Sequence, residues 1–144
     1  MTTCVSFLRS GLQYHGIQLH LDGTGIYGEI QVTGELHSPR DAVELQHAAV
    51  ALYARHGCRL VLIDVTQAQV VSGTLPALEA ANQKGAFGRQ LHLLRVALLY
   101  PQITEHERFF ETISINRGLT IKIFDTRDAA RAWLLQPGET GDRA

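Results

Sequence analysis

Acidic and hydroxyl-bearing side chains follow one of the most apolar segments of the sequence. Residues 60–65 read LVLIDV, and Asp64, Thr66, Ser72 and Thr74 lie at its end or shortly after it. Short apolar runs of this kind are typical of strands buried on both faces of a parallel sheet. Such sheets bind ligands at the carboxyl ends of their strands, where hydroxyl groups and free helix N–H groups can hold a polar or phosphate-bearing molecule. The four side chains therefore predict a small polar site; alternatively, Asp64 only fixes the loop and Thr74 only caps a helix.

Other patterns that support chemistry are missing from the sequence. The seven histidines are scattered, and no pair has the H-x-x-x-H spacing that places two imidazoles on one helix face. Cys4 and Cys58 lack metal-ligand spacing, and there is no G-x-S-x-G nucleophile motif. Glycines at 23, 25 and 28 match G-x-G-x-x-G by count, but they join two predicted strands and do not open a helix. The sequence therefore predicts no enzyme, no metal site and no cofactor.

Changes in the spacing of apolar residues along the chain show which strands and helices position the candidate site. Residues 17–22 and 26–33 alternate apolar and polar side chains around a glycine-containing turn, which predicts an antiparallel hairpin. Ser38 then starts a helix that ends at Gly57. Residues 93–100, LLRVALLY, form a second apolar run, so we expect them to lie beside residues 60–65 as an inner parallel strand.

The last third of the chain continues the alternation of helices and strands. Thr104 to Glu107 forms a capping box for a helix with Phe109 on its buried face, and residues 119–124 alternate as a strand. Thr126 caps a final helix in which Trp133 is expected to lie in or near the core. With a weaker helix at 74–84, the predicted order is β-β-α-β-α-β-α-β-α. This order indicates a single α/β domain with a mostly parallel sheet and an N-terminal antiparallel hairpin.

Composition narrows the class of protein. The 144 residues fit one domain, 45% of them are apolar and the formal net charge is −1. That balance argues against a nucleic-acid-binding protein, which usually presents a basic face. No signal-peptide run or stretch of about 18 apolar residues is present, which predicts a cytoplasmic protein without a membrane-spanning segment. A homodimer is compatible with an exposed sheet edge.

Several local motifs resemble the sulfate transporter and anti-sigma factor antagonist (STAS) domain, in its SpoIIAA-like branch. They are Val61 to Thr66, an apolar strand ending in Asp-x-Thr; the segment from Arg117 to Phe124, similar to "R-G-x-x-x-x-x-F"; and Ala130 to Leu134, similar to "A-x-x-W-L". The resemblance covers residues 15–136, which leaves residues 1–14 as an N-terminal extension and 137–144 as a flexible tail. It implies a regulatory or binding module, non-enzymatic and largely uncharacterised in this branch.

The resemblance also implies two kinds of site. Anti-sigma factor antagonists are phosphorylated by a partner kinase on a serine in an Asp-Ser-Ser-Gly loop, and that loop corresponds here to Ser72-Gly73-Thr74-Leu75. The acidic residue of that loop is replaced by Ser72 and the middle serine by Gly73, so Thr74 is the phosphoacceptor by position, and the phosphorylation hypothesis predicts modification at Ser72 or Thr74. The related Sec14 lobe binds lipids, so the helix at 74–84, with Leu75 and Leu78 on a thin apolar stripe, is a candidate lid over an apolar ligand. That helix could equally be a dimer surface or a weakly packed helix. The resemblance thus implies a protein partner or a lipid-like small molecule, with the phosphorylation switch as the alternative.

Overall fold

The structure is a computed structural model that describes residues 4–9, 12–22, 25–37, 40–71, 93–116 and 118–136. The strands in chain order are β1 (Cys4–Arg9), β2 (Leu12–Asp22), β3 (Gly25–His37), β4 (Leu60–Asp64), β5 (Ala68–Val71), β6 (Arg95–Leu99) and β7 (Thr120–Phe124). The helices are α1 (Arg40–His56), α2 (Glu105–Asn116) and α3 (Arg127–Leu134). The α/β class and the mostly parallel sheet expected from the sequence are confirmed.

Seven strands form one mixed sheet in the order β1-β2-β3-β4-β6-β7, with β5 pairing to β3. The predicted hairpin is present as the antiparallel pair β2 and β3. The two apolar runs are adjacent parallel strands, as expected, with Ile63 beside Leu98. Strands β1 and β5 were not predicted. Residues 4–9 belong to the stretch expected to be an extension, yet they pair with β2 and form an antiparallel edge strand.

Helices cover both faces of the sheet, which is why β4 and β6 are almost continuously apolar. On one face, α1 contributes Leu45, Ala49 and Leu52 to a core with the sheet. On the other face, α3 contributes Ala130 and Leu134 to a second, smaller cluster. Helix α2 packs against the edge strand β7. The sheet therefore has two buried faces, so a polar side chain on either face needs a polar partner.

Helix α1 packs against the sheet over a glycine. A Cβ atom added to Gly28 of β3 would lie 2.2 Å from Leu52 Cδ2 and 3.1 Å from Leu52 Cγ. Leu52 is 1% exposed and belongs to the core, so moving it would disturb the side chains that pack around it. The absent side chain of Gly28 is thus what lets α1 pack at this distance.

An extra residue interrupts the strand formed by β4 and β5. Both pair in parallel with β3, Gln31 with Asp64 and then Gly34 with Ala68. Between these pairs β3 advances three residues, from Gln31 to Gly34, while the other strand advances four, from Asp64 to Ala68. The residues between the two strands, Val65 to Gln67, are not part of either strand but form a turn with one extra residue, hereafter the bulge.

Helices α2 and α3 begin at the capping residues predicted from the sequence. One side chain of α2, that of Phe109, is not where the sequence predicted it. Thr104 donates to the Glu107 carboxylate through both its backbone N–H, at 2.8 Å, and its hydroxyl, and Thr126 accepts from Ala129 N at the start of α3. The prediction that Phe109 is buried is wrong, because it is 38% exposed whereas Glu107 is buried. The cap turns Glu107 inward, and a residue two positions later on a helix points about 200° away.

Two expectations concern residues outside those that the structure describes. The weak helix at 74–84 and the tail at 137–144 both lie in such stretches, so they stay predictions. Among the described residues, no helix has the length and apolar character required to cross a membrane.

Candidate functional site

Polar side chains collect on the α3 side of the sheet, beside the middle of β3 and the carboxyl end of β4. Tyr27 and Leu62 belong to the apolar cluster on this face. Because side chains alternate along a strand, Glu29 and Gln31 lie on the same face as Tyr27. Gln31 pairs with Asp64 in the parallel register, which brings polar groups from two neighbouring strands together.

Arg127, the first residue of α3, joins two of these polar groups. Its Nη1 donates to Glu29 Oε2 at 2.5 Å, and its Nη2 donates to Asp64 Oδ2. The side chains of Glu29 and Asp64 are 3% and 6% exposed, whereas that of Arg127 is 41% exposed. Unpaired buried carboxylates would cost several kcal/mol each, so the guanidinium is what makes their burial tolerable.

The environment of Arg127 keeps it positively charged. Burial by itself lowers the pKa of the guanidinium, but the hydrogen bond to Glu29 and the charges of Glu29 and Asp64 outweigh it, and the net pKa is raised. Arg127 therefore stays a cation at every pH at which the fold is expected to exist.

Asp64 uses its second oxygen to hold the turn that forms the bulge. Oδ1 accepts from the backbone N–H of Thr66 at 2.9 Å and from the Thr66 hydroxyl at 2.6 Å. Ala68 N donates to Val65 O at 3.0 Å and closes the turn. This geometry corresponds to the loop-fixing alternative considered for Asp64, in which a short acidic side chain hydrogen-bonds backbone two residues ahead.

His20 and Gln31 surround the other end of the ion-pair network. Gln31 Nε2 donates to Glu29 Oε2 at 3.2 Å. The His20 ring stacks on Tyr27 with 5.0 Å between centroids, and its Nε2 lies 3.1 Å from Glu29 Oε1. The buried His20 Nε2 nevertheless has no hydrogen-bond partner. His20 is therefore an ion-pair partner of Glu29 only when the imidazole is protonated.

A cavity of about 300 Å³ opens beside this network. Its lining comes from β3, from the bulge after β4 and from the first turn of α3, and consists of Gln31, Thr33, Asp64, Thr66, Gln67 and Arg127. The bulge is what turns Thr66 and Gln67 toward the cavity. Every lining residue carries a hydroxyl, amide, carboxylate or guanidinium group, so the arrangement can hold a molecule or side chain through hydrogen bonds and charge.

The structure brings together two of the predicted site residues. Asp64 and Thr66 are in contact and line the cavity. The remaining candidates, Ser72, Thr74, Leu75 and Leu78, lie outside the described residues. The phosphorylation switch and the lipid-binding lid therefore stay predictions. In the described part of the chain, no group of three His, Cys, Asp or Glu side chains could hold a metal ion.

Two residues of the site were not anticipated from the sequence, Glu29 and Arg127. Glu29 occupies a polar position in an alternating strand, which usually indicates a solvent-facing side chain. The sequence did not show that β3 lies inside the sheet, between β2 and β4, where helices cover both faces and a charge needs a partner. Nothing local marks Arg127, because its two partners are 98 and 63 residues away.

One comparison with solved structures supports the fold. No protein-family model and no curated protein matches the chain. Among solved structures, it is similar to an uncharacterised DUF3478-family protein with a SpoIIAA-like fold from Shewanella loihica PV-4, with a TM-score of 0.51 and 19% identity over 90% of this chain and 98% of the other. An anti-sigma factor antagonist from Mycobacterium paratuberculosis matches with a TM-score of 0.44 and 15% identity, over 93% and 94% of the two chains. The chain has a SpoIIAA-like fold, the fold expected from its resemblance to STAS domains.

Proposed function

We propose that this chain is a non-enzymatic regulatory module that binds a protein partner at the carboxyl edge of its sheet, over the cavity beside Arg127. Binding is supported over catalysis by one observation: the charged groups of the site are hydrogen-bonded to one another and are therefore held in fixed positions. Glu29 and Asp64 share Arg127, and Asp64 also holds Thr66. The fold class supports this location, since open α/β sheets usually bind ligands at the carboxyl ends of their strands.

The same hydrogen bonds argue against acid–base catalysis. A general base must take a proton from a substrate within hydrogen-bond reach. A proton taken by either Glu29 or Asp64 would break its ion pair with Arg127 and leave a buried neutral group beside a cation. The network thus opposes proton transfer, while its fixed geometry suits recognition.

The residues around the cavity are exposed, which is what contact with a protein partner requires. Gln67 in the bulge is exposed, and Asp125 and Asp128, on either side of the α3 cap, are exposed as well. These residues come from two separate segments at the same end of the sheet. A surface built from several segments offers a partner contacts around a defined polar recess.

Site-specific photocrosslinking tests this proposal. A benzophenone amino acid is placed at Gln67, beside the cavity, and in a second variant at Arg59. Arg59 is a matched control because it is exposed and immediately precedes β4, at the opposite end of the strand. We expect irradiation in cells of the source organism to give a discrete adduct from position 67 and none from position 59. Identical adducts from both positions, or none from position 67, would reject the proposed binding edge.

A further inference from the structure

The lining of the cavity is balanced in charge. Its charged groups are one carboxylate, that of Asp64, and one guanidinium, that of Arg127, and the two are hydrogen-bonded to each other. The uncharged lining residues are Gln31, Thr33, Thr66 and Gln67. An ionic group in the cavity would lie beside both members of the pair, attracted to one and repelled by the other. The lining therefore gives a charged guest little net attraction to offset the loss of its hydration.

The lining offers a guest both hydrogen-bond donors and hydrogen-bond acceptors. Arg127 uses two of its five N–H groups for Glu29 and Asp64, and Gln31 uses one of its two amide N–H groups for Glu29. Among the described residues, the other N–H groups of these two side chains have no hydrogen-bond acceptor. The Thr66 hydroxyl donates its hydrogen to Asp64, so toward a guest its oxygen acts as an acceptor. A well-matched guest therefore both accepts and donates.

From this combination we infer that the cavity receives an uncharged carboxamide, that of an asparagine or glutamine side chain of the partner protein. The inference rests on the proposed function and specifies its chemistry. A carboxamide has two N–H donors and a carbonyl acceptor in one planar group and carries no charge. Its oxygen matches the N–H groups of Arg127, and its N–H groups match the oxygen of Thr66. The exposed amide of Gln67 is complementary to it in both respects.

The composition and size of the cavity favour a protein side chain over a small molecule. All six lining residues are polar, whereas small-molecule sites are lined mainly by apolar and aromatic side chains. The volume of about 300 Å³ is at the lower end for small-molecule sites. Interfaces between proteins usually include several direct hydrogen bonds, and a side chain seated in a polar recess supplies such bonds.

NMR titration of the intact chain with four peptides tests the inference. The probes are acetylated and amidated pentapeptides with two glycines on each side of a central glutamine, glutamate, lysine or glycine, and the reporters are the backbone amides of Thr33, Thr66 and Gln67. Glutamine and glutamate have nearly the same shape and differ in charge, and the glycine peptide measures binding through peptide backbone alone. We expect saturable shifts with the glutamine peptide and affinity about three- to tenfold higher than for the other three. A glutamate or lysine peptide that binds as tightly, or a glycine peptide equal to the glutamine peptide, would overturn the inference.

Two exposed glutamines of the same segment supply matched variants. Gln67 lines the cavity, whereas Gln69 lies in β5 and is not among the lining residues. Both side chains are exposed, so Gln67→Ala and Gln69→Ala are expected to fold. Removing the amide at position 67 should weaken binding of the glutamine peptide about three- to tenfold, and removing the one at position 69 should leave it unchanged. Equal affinity of the two variants would place the peptide elsewhere and would also overturn the inference.

The photocrosslink at position 67 separates this inference from the proposed function. If the crosslink forms and the glutamine peptide is not preferred, the carboxamide inference is wrong and the proposed function stands. If the glutamine peptide is preferred and the crosslink is absent, the proposed partner is rejected, and the carboxamide that the cavity selects belongs to a small molecule.

Discussion

Asp64 and Arg127, 63 residues apart in the chain, form the ion pair that ties the first turn of α3 to the end of β4. Because Asp64 also accepts two hydrogen bonds from Thr66, the same carboxylate holds the helix with one oxygen and the bulge with the other. The position of α3 and the shape of the cavity are therefore linked through one side chain.

Replacing Asp64 with asparagine should destabilise the fold by about 1–3 kcal/mol. Asparagine keeps one oxygen for Thr66 but turns an N–H₂ donor toward the guanidinium. The cost stays below that of a fully buried broken pair because Arg127 is 41% exposed and water can solvate it. Urea unfolding followed by circular dichroism measures the change. The control Asp125→Asn, an exposed acid, should shift stability by no more than about 0.5 kcal/mol, and equal effects of the two variants would contradict the assigned role of Asp64.

Adding a methyl group at Gly28 should destabilise the protein by about 1–3 kcal/mol, because it drives Leu52 out of its place in the core. A double-mutant cycle isolates the clash: in a Leu52→Ala background, Gly28→Ala should cost much less, since the colliding atoms are gone. Gly57→Ala is the comparison, because Gly57 has a positive φ of 71° but nothing within 4 Å of the added carbon. Strictly additive effects of the Gly28 and Leu52 substitutions would show that the two residues do not collide.

Trp133→Ala should lower stability by about 2–3 kcal/mol, somewhat below the ~3–5 kcal/mol typical of a fully buried aromatic residue. The ring is half-buried and packs against Phe124 with 5.7 Å between centroids, and the Arg95 guanidinium lies 3.9 Å above it. Trp133→Phe keeps an aromatic face for the cation and should cost about 1 kcal/mol. Thermal unfolding by circular dichroism gives both values. An unchanged Tm for the alanine variant would mean that Trp133 does not anchor α3.

Stability should decrease in alkaline solution because of Tyr100. Burial, and secondarily the nearby Glu107 carboxylate, raise the pKa of this phenol well above its ordinary value. Above about pH 10 the unfolded chain loses the Tyr100 proton while the folded chain retains it, so the contribution of this residue falls by about 1.4 kcal/mol per pH unit. Unfolding free energies of the parent and of Tyr100→Phe, compared between pH 9 and 11, check this. A parallel decline in both proteins would place the alkaline sensitivity elsewhere.

Local patterns were sufficient for most elements and failed where long-range contacts decide. Alternation in β2 and β3, the cap at Thr126 and the apolar runs of β4 and β6 each depend on residues close in sequence, and each was predicted. Strand β5 was missed because its four residues become a strand only by pairing with the extended end of β3. Phe109 was wrongly predicted to be buried. Glu107 is the buried side chain and sets which face of α2 points inward, and the spacing of apolar residues alone does not determine how a helix is rotated about its axis.

The amino-acid sequence by itself determined the hairpin of β2 and β3, the three described helices, the two inner strands and the side chains Asp64 and Thr66 at the edge where β4 ends, since hydrophobic period and capping act over a few residues. Only the tertiary structure decided that Glu29 is a buried ion-pair partner and that Arg127 bridges two strands. Those roles arise because the second face of the sheet is closed by α3, which removes water from the carboxylates and requires a cation to replace it.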